Sequence, residues 1–352
     1  MFVMTVMKMT LPSLGALALH ADSASPATRQ LTRSERILPM SRTDSPFIRT
    51  PSLPSRRTLL LGSACAGLVV LGQDAFAGPT KTGTGAQAAL ADIEKRSGGR
   101  VGVHAIDTAS GRALGWRSDE RFAMASTFKM LLAAAVLHRH DGAPGGMLDQ
   151  RLPVRQPDLI AHSPVTATHL ADGFITARQA CEATVQVSDN AAANLLLPLV
   201  SGPAGLTAFL REQCGDAVTR QDRTEPTLNT NLPGDPRDTT TPSAMAQTMR
   251  RLLTGQVLSS ASREQLIAWL VGATTGMARL RAGLPRDWRT GDKTGTGANG
   301  AANDVAITWP PGRAPIVMAV YLSGSGQSSA VLDATHARVA AVVAQALAGA
   351  GR

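Results

Sequence analysis

Aromatic residues are scarce in this chain: it has one tyrosine, and Phe, Trp and Tyr together make 3% of 352 residues. No Lys/Arg run interleaved with aromatics occurs, so a nucleic-acid-binding surface is not expected. Cysteine is scarcer still, with Cys65, Cys181 and Cys214 the only three. So few cysteines in so long a chain do not make a disulfide framework. No His/Cys cluster has zinc-ligand spacing, and no metal or other cofactor is expected. Internal repeats and heptad runs are absent as well, which excludes solenoids and coiled coils. What remains is an ordinary globular composition, 43% hydrophobic and 17% charged, long enough for one large domain or two small ones.

The formal charge is +9, from 35 basic and 26 acidic residues. Part of that surplus lies at the front, where residues 1–77 hold eight of the basic and four of the acidic residues. Ser55-Arg56-Arg57-Thr58-Leu59-Leu60-Leu61 opens an apolar run to Leu71, and Ala75-Phe76-Ala77 follows. A basic flank, an apolar core and a small-x-small site make a secretory signal. The paired arginines resemble a twin-arginine export signal. The apolar run is shorter than the roughly 20 residues of a membrane span. Gly62 stands where a lipoprotein site at Cys65 usually wants leucine. Residues 1–77 are therefore read as an N-terminal extension and a twin-arginine-type signal peptide, cleaved before Gly78, with translation starting at Met40. The expected location is the periplasm, with no stable membrane anchor after cleavage.

Residues 78–85 read as a linker and 86–95 as a short amphipathic helix. Residues 101–107 and 113–117 read as strands around a turn at Thr108-Ala109-Ser110-Gly111. From 148 to 270, helical patterns such as 191–200 and 242–254 alternate with Pro/Gly loops. Strand-like runs return at 303–309 and 316–322, split by Pro310-Pro311-Gly312-Arg313, and 330–347 reads as a closing helix. Strands at both ends with helices between them predict an antiparallel sheet made from the two termini, with a helical insert. The expected division is 78–127 with 273–352 as an α/β part, and 128–272 as an all-α part. No exposed apolar stripe asks for a partner, so a monomer is expected.

Ala125-Ser126-Thr127-Phe128-Lys129-Met130-Leu131-Leu132 carries a Ser-x-x-Lys motif and runs on apolar to Leu137. Apolar residues lie all round the helical wheel, which predicts a helix buried on every side. If that helix begins near Thr127, Lys129 lies over Ser126. A serine hydroxyl needs a neighbouring base to act as a nucleophile, and a lysine among apolar groups has its pKa pushed down toward that use. Alone, the motif occurs by chance in many chains and reads as a helix cap beside a surface lysine. Three further polar motifs follow: Ser188-Asp189-Asn190; Asp222-Arg223-Thr224-Glu225-Pro226-Thr227-Leu228-Asn229; and Asp292-Lys293-Thr294-Gly295-Thr296-Gly297. Singly they could be a helix cap, a solvated loop charge and a strand edge. In this order and spacing they make a constellation.

The set Ser-x-x-Lys, Ser-Asp-Asn, Glu-x-x-Leu-Asn and Lys-Thr-Gly resembles the class A serine β-lactamases. Residues 158–166 and 188–197 also match blocks of that family. The resemblance covers nearly the whole chain after residue 77. It implies an α/β domain with a five-stranded antiparallel sheet flanked by helices, plus an all-α domain. It implies hydrolysis of penicillins and cephalosporins through a serine acyl-enzyme, and hence antibiotic resistance.

The resemblance also implies roles. Ser126 attacks the lactam carbonyl, and the backbone N–H groups of Ser126 and Thr296 hold the oxyanion. Ser188 and Lys293 relay a proton to the leaving nitrogen. Asn190 positions Lys129 and the substrate amide. Glu225 and Asn229 hold the hydrolytic water, on a loop closed by an Arg223–Asp238 ion pair. Lys129 and Glu225 are both open as the first base. Thr294, Gly295, Thr296 and Arg279 would line the place of the substrate carboxylate, Arg279 supplying the guanidinium that the strand after Lys-Thr-Gly lacks. Arg281 should point elsewhere.

Some positions depart from the family pattern. His162 stands where many members carry Tyr or Trp at the pocket mouth, and one residue is inserted near Phe174-Ile175. Ala133 replaces the partner of Cys181 in a family disulfide. Ala125 and Gly297 occupy positions that are both cysteine in certain carbapenem-hydrolysing members. The alternatives are a penicillin-binding D,D-peptidase, which lacks the Glu-x-x-Leu-Asn site, and a β-lactam sensor, which needs a membrane-spanning domain.

Overall fold

The computed structural model describes residues 81–349, and of 81–84 the backbone alone. The export segment expected over 1–77, its cleavage before Gly78 and the start at Met40 lie outside the described residues. The chain opens with α1 (Lys81–Ser97), β1 (Arg100–Asp107), β2 (Ala113–Trp116) and the short β3 (Phe122–Ala123). The middle carries α2 (Phe128–Gly142), β4 (Arg151–Pro153), β5 (Phe174–Thr176), α3 (Ala177–Gln186), α4 (Asn190–Leu196), α5 (Gly202–Glu212), β6 (Thr239–Thr240), α6 (Pro242–Thr254) and α7 (Ser260–Val271). The end supplies α8 (Leu280–Gly283), β7 (Arg289–Thr296), β8 (Ala302–Trp309), β9 (Ile316–Ser323) and α9 (Ser329–Ala348).

Both ends of this stretch meet in one sheet of order β2-β1-β9-β8-β7, antiparallel at every pairing. Strand β9 explains why it is covered on both sides. All eight of its residues are buried, and they alternate with the period of a strand. Val317, Ala319 and Tyr321 join the apolar cluster of the middle helices. Ile316, Met318, Val320 and Leu322 join a second cluster with Leu90 and Ile93 of α1 and Leu332, Val339 and Val343 of α9. Helix α2 is the axis of the first cluster, buried without interruption from Phe128 to Leu137.

Three expectations are corrected. Residues 81–85 are the first turn of α1, not linker. The weak helix formers Gly83 and Gly85 hide it, while Ala86, Leu90 and Ile93 bury one face and hold the helix in place. The 128–272 region is not wholly helical: β4 pairs with β5, and β6 pairs with β3. Strands return earlier than residue 303, because Lys293-Thr294-Gly295 lies within β7, at the sheet edge.

Candidate active site

Ser126 sits in a short 3-10 turn, Ala125–Thr127, and α2 begins one residue later, at Phe128. Ala125 is held at φ 43, a left-handed conformation that costs a non-glycine residue on the order of 1–2 kcal/mol. Neighbouring segments clamp the turn. Asn303 on β8 donates from Nδ2 to Ala123 O at 2.9 Å and to Met124 O at 3.0 Å. Gly295 on β7 passes so close that a Cβ there would lie 2.8 Å from Met124 O and 3.1 Å from Ser126 N. Glycine at 295 is thus what lets the edge strand reach the nucleophile.

In the first turn of α2, Lys129 is fully buried and reaches two segments at once. Its Nζ donates to Ser188 O at 2.8 Å and Asn190 Oδ1 at 2.5 Å, and lies 2.9 Å from Glu225 Oε1. Burial pushes its pKa down, and the charge of Glu225 opposes that shift. With Ser188 Oγ at 3.3 Å as a further acceptor, every N–H bond of an ammonium there has a partner. The Ser126 hydroxyl donates to Glu225 Oε1 at 3.3 Å. Among the described residues no hydrogen bond joins it to Lys129.

Ser188, at φ 62, lies between two lysines. Its Oγ is 3.3 Å from Lys129 Nζ and 3.1 Å from Lys293 Nζ. Lys293 is fully buried, and burial together with Lys129 lowers its pKa to about 7. Asp189 caps α4 and binds the backbone of Val165 and Thr166, which fixes the turn carrying Ser188. Asn190 Nδ2 donates to Ala161 O at 2.8 Å. His162, at φ 61, donates from its ring to Val187 O at 2.8 Å, and its carbonyl accepts from Asn190 N.

The loop after α5 brings Glu225 in from the other side. Arg223 Nε donates to Asp238 Oδ2 at 2.5 Å, which closes the loop. Asn229 Nδ2 donates to Glu225 Oε2 at 2.6 Å, while Asn229 Oδ1 is buried and accepts nothing among the described residues. Asn194 on α4, to which no role was given above, holds both sides of the Glu225 peptide. Its Oδ1 accepts from Glu225 N at 3.0 Å and its Nδ2 donates to Glu225 O at 2.9 Å. Its sequence signal is a lone polar residue one helical turn past Asn190, in an Ala/Leu helix.

These side chains open onto a cleft of about 340 Å³ lined by Ser126, His162, Ser188, Asn190, Asn229, Thr275, Arg279, Thr294, Gly295 and Thr296. Arg279 precedes α8 and is half-buried. Its guanidinium donates to Gly295 O at 2.9 Å, Asn303 O at 2.7 Å and Thr296 Oγ1 at 2.9 Å. Asp333 on α9 orients it by accepting from Nε at 2.7 Å, and Thr275 pairs with Thr294 at 2.6 Å. Asp333 carries no sequence signal, because its partner is far away in the chain. Arg281 does point elsewhere: its Nε donates to the buried Asp292. Cys181 and Cys214 are both buried and free.

A serine hydroxyl on a buried carboxylate, a second serine between two buried lysines and a guanidinium in the cleft wall thus meet at one place. The sequence profile of the β-lactamase enzyme family matches residues 85–347. The chain belongs to the class A β-lactamases. It is 51% identical over 258 residues to β-lactamase AST-1 of Nocardia asteroides, covering 73% of this chain and 82% of that protein. It is equally, 51%, identical to β-lactamase L2 of Stenotrophomonas maltophilia, over 73% of this chain and 84% of that one. A solved ancestral class A β-lactamase aligns with TM-score 0.72 and 57% identity, covering 74% of this chain and 100% of its own. A β-lactamase structure from Xanthomonas campestris aligns with TM-score 0.72 and 48% identity, covering 74% and 97%. This β-lactamase hydrolyses β-lactams and so gives antibiotic resistance.

Proposed function

We propose that this β-lactamase opens the ring of penicillins and cephalosporins through an ester on Ser126, with Glu225 as base in both half-reactions. The carrying observation is the Ser126 Oγ–Glu225 Oε1 hydrogen bond of 3.3 Å. In acylation, Glu225 takes the Ser126 proton as Oγ adds to the lactam carbonyl. The backbone N–H groups of Ser126 and Thr296 receive the oxyanion, where one donor is worth on the order of 3 kcal/mol. The C–N bond then breaks, the nitrogen takes a proton from Ser188 Oγ, and Lys293 or Lys129 replaces it; Glu225 hands the Ser126 proton to Lys129, 2.9 Å away, so the lysines are recharged and the carboxylate is ionised again for the second step. In deacylation, a water gives one hydrogen bond to Glu225 and one to Asn229 Oδ1, a buried acceptor otherwise unpaired. Glu225 removes its proton, the hydroxide adds to the ester carbon, and Ser126 leaves with the proton restored. Asn190 and His162 face the substrate side chain. Arg279, Thr294 and Thr296 receive its carboxylate, with Gly295 shaping the strand between them.

The Glu225–Asn229 pair favours this reading over a D,D-peptidase or a sensor, whose acyl-enzymes persist. Rapid colour change with a chromogenic cephalosporin separates them. Glu225→Ala should take up a penicillin at Ser126 only slowly and release it far more slowly still, so intact-mass spectrometry shows a lasting adduct. Normal turnover by that variant would remove Glu225 from its role.

The proposal extends to location and assembly. The Arg56-Arg57 pair and Ala75-Phe76-Ala77 support export to the periplasm by the twin-arginine route. N-terminal sequencing of exported protein should begin at Gly78, and a start well upstream would refute cleavage there. The enzyme acts as a monomer without a membrane anchor, which light scattering checks.

A further inference from the structure

Behind the cleft wall lie two acids that the reaction does not use. Asp292 on β7 and Asp304 on β8 are both fully buried. The register pairs Thr294 with Asp304 and Asp292 with Ala306. The two carboxyl groups are therefore diagonal neighbours on one face of the sheet. One oxygen of each is accounted for: Asp292 Oδ1 accepts from Arg281 Nε, and Asp304 Oδ2 accepts from Leu280 N at 3.1 Å. The other two, Asp292 Oδ2 and Asp304 Oδ1, are buried with no N–H or hydroxyl to satisfy them among the described residues. Yet the two side chains lie within hydrogen-bonding reach of each other. A buried carboxylate oxygen left unpaired costs more than a typical hydrogen bond contributes. A single proton between the two groups removes both deficits, one oxygen donating and the other accepting.

We propose that Asp292 and Asp304 share one proton, and that the pair in this form positions Arg279 for the substrate carboxylate. Arg281 keeps the negative charge on Asp292, so the proton resides on Asp304. Arg279, Lys293 and Tyr321 also face the pair. Burial raises both acids above the usual range, and their mutual repulsion raises Asp304 further. The link to Arg279 is the segment Gly276–Arg281. Gly276 rests on Asp292, where a Cβ would lie 1.7 Å from Oδ2. Leu280, the next residue after Arg279, is tied by its N–H to Asp304. The acid pair thus holds both ends of the turn that aims the guanidinium. This step rests on the carboxylate role given to Arg279 above.

Two substitutions at 304 test it. Asp304→Asn keeps an acceptor for Leu280 N and offers Asp292 an N–H, but cannot ionise. Asp304→Ala removes both. In Asp304→Asn, KM for a penicillin should stay within about twofold of wild type; in Asp304→Ala it should rise about tenfold with kcat changed far less. Asp304→Ala should add nothing to KM in an Arg279→Ala background, as coupled residues do. The proton has its own readout. An acid whose folded pKa is raised contributes stability below its unfolded pKa and loses it as pH rises through the folded one. Asp304→Asn should therefore gain melting temperature on wild type as the pH rises above the usual carboxylate range. Neutron diffraction from a deuterated crystal should place one deuteron between Asp292 Oδ2 and Asp304 Oδ1. No deuteron there, parallel melting curves, or an Asp304→Asn KM as poor as that of Asp304→Ala would overturn the proposal. If instead Arg279→Ala leaves KM unchanged while the deuteron and the diverging curves are found, only the carboxylate role of Arg279 has failed.

Discussion

Arg279 and Arg281 stand two residues apart and do different work. The Arg279 guanidinium spans Gly295 O, Asn303 O and Thr296 Oγ1 at the cleft wall. A forked donor suits a carboxylate, and a charge-assisted bond is worth roughly 1.5–3 kcal/mol. Arg279→Ala should lower kcat/KM toward penicillins about ten- to a hundredfold, while Thr294, Thr296 and Lys293 keep part of the binding. Arg281 faces inward to an Asp292 side chain with no exposure. Removing one partner of a buried pair strands the other, at about 3–5 kcal/mol. Arg281→Ala should therefore show itself in thermal unfolding, with kcat/KM of the folded enzyme falling less than in Arg279→Ala. Equal small kinetic losses from both variants would leave the carboxylate to Lys293 and the threonines.

At the scale of elements, the loop carrying Glu225 has little regular structure of its own, so its geometry comes from its ties. Arg223–Asp238 closes it, and Asn194 of α4 clamps the Glu225 peptide from both sides. Asn194→Ala leaves the N–H and C=O of a buried residue unpaired, which should cost about 1–3 kcal/mol each. Because Glu225, the base proposed above, moves with that peptide, acyl-enzyme should accumulate in steady state, as read by intact mass. Wild-type deacylation together with lowered stability would make Asn194 purely structural. The elements differ in how far the sequence discloses them. Helix α2 was legible because apolar residues surround it. Strand β7 was not, because Thr290-Gly291-Asp292-Lys293-Thr294-Gly295-Thr296 lacks the β-branched aliphatic and aromatic residues that mark a strand. Pairing with β8 through eight residues makes it one all the same. Ser126, Lys129, Ser188, Glu225 and Lys293 were visible as motifs, and the fold brings them together. Asn194, Thr275 and Asp333 act through partners remote in the chain, which spacing cannot reveal.

For the molecule as a whole, the deciding feature is how its core is shared. Phe122, Ile106, Val305, Ile307, Val317, Ala319 and Tyr321, from the segments 78–127 and 273–352, lie in one apolar cluster with the buried residues of α2, α6 and α7. We therefore propose that the division into 78–127 with 273–352, and 128–272, marks lobes that do not fold alone. Separating them would expose a face of the sheet and much of α2, and each fully exposed Leu, Val, Ile or Phe costs roughly 1.5–3 kcal/mol. The four tryptophans can test this. Trp269 lies buried in α7, while Trp116, Trp288 and Trp309 lie in the sheet lobe, against the two apolar clusters. With fluorotryptophan incorporated, each side chain gives its own fluorine resonance, and all should be lost at one urea midpoint as in a two-state transition. A Trp269 midpoint apart from those of Trp116 and Trp309 would show the helical lobe unfolding by itself. Joint unfolding also bears on catalysis. Lys129 and Glu225 come from the helical lobe and Lys293 from the sheet, and all reach Ser126 or Ser188 directly. A shared core is what keeps such groups within hydrogen-bonding distance across two lobes, so a variant that loosens the sheet face of α2 should lose activity at temperatures where its helices still persist.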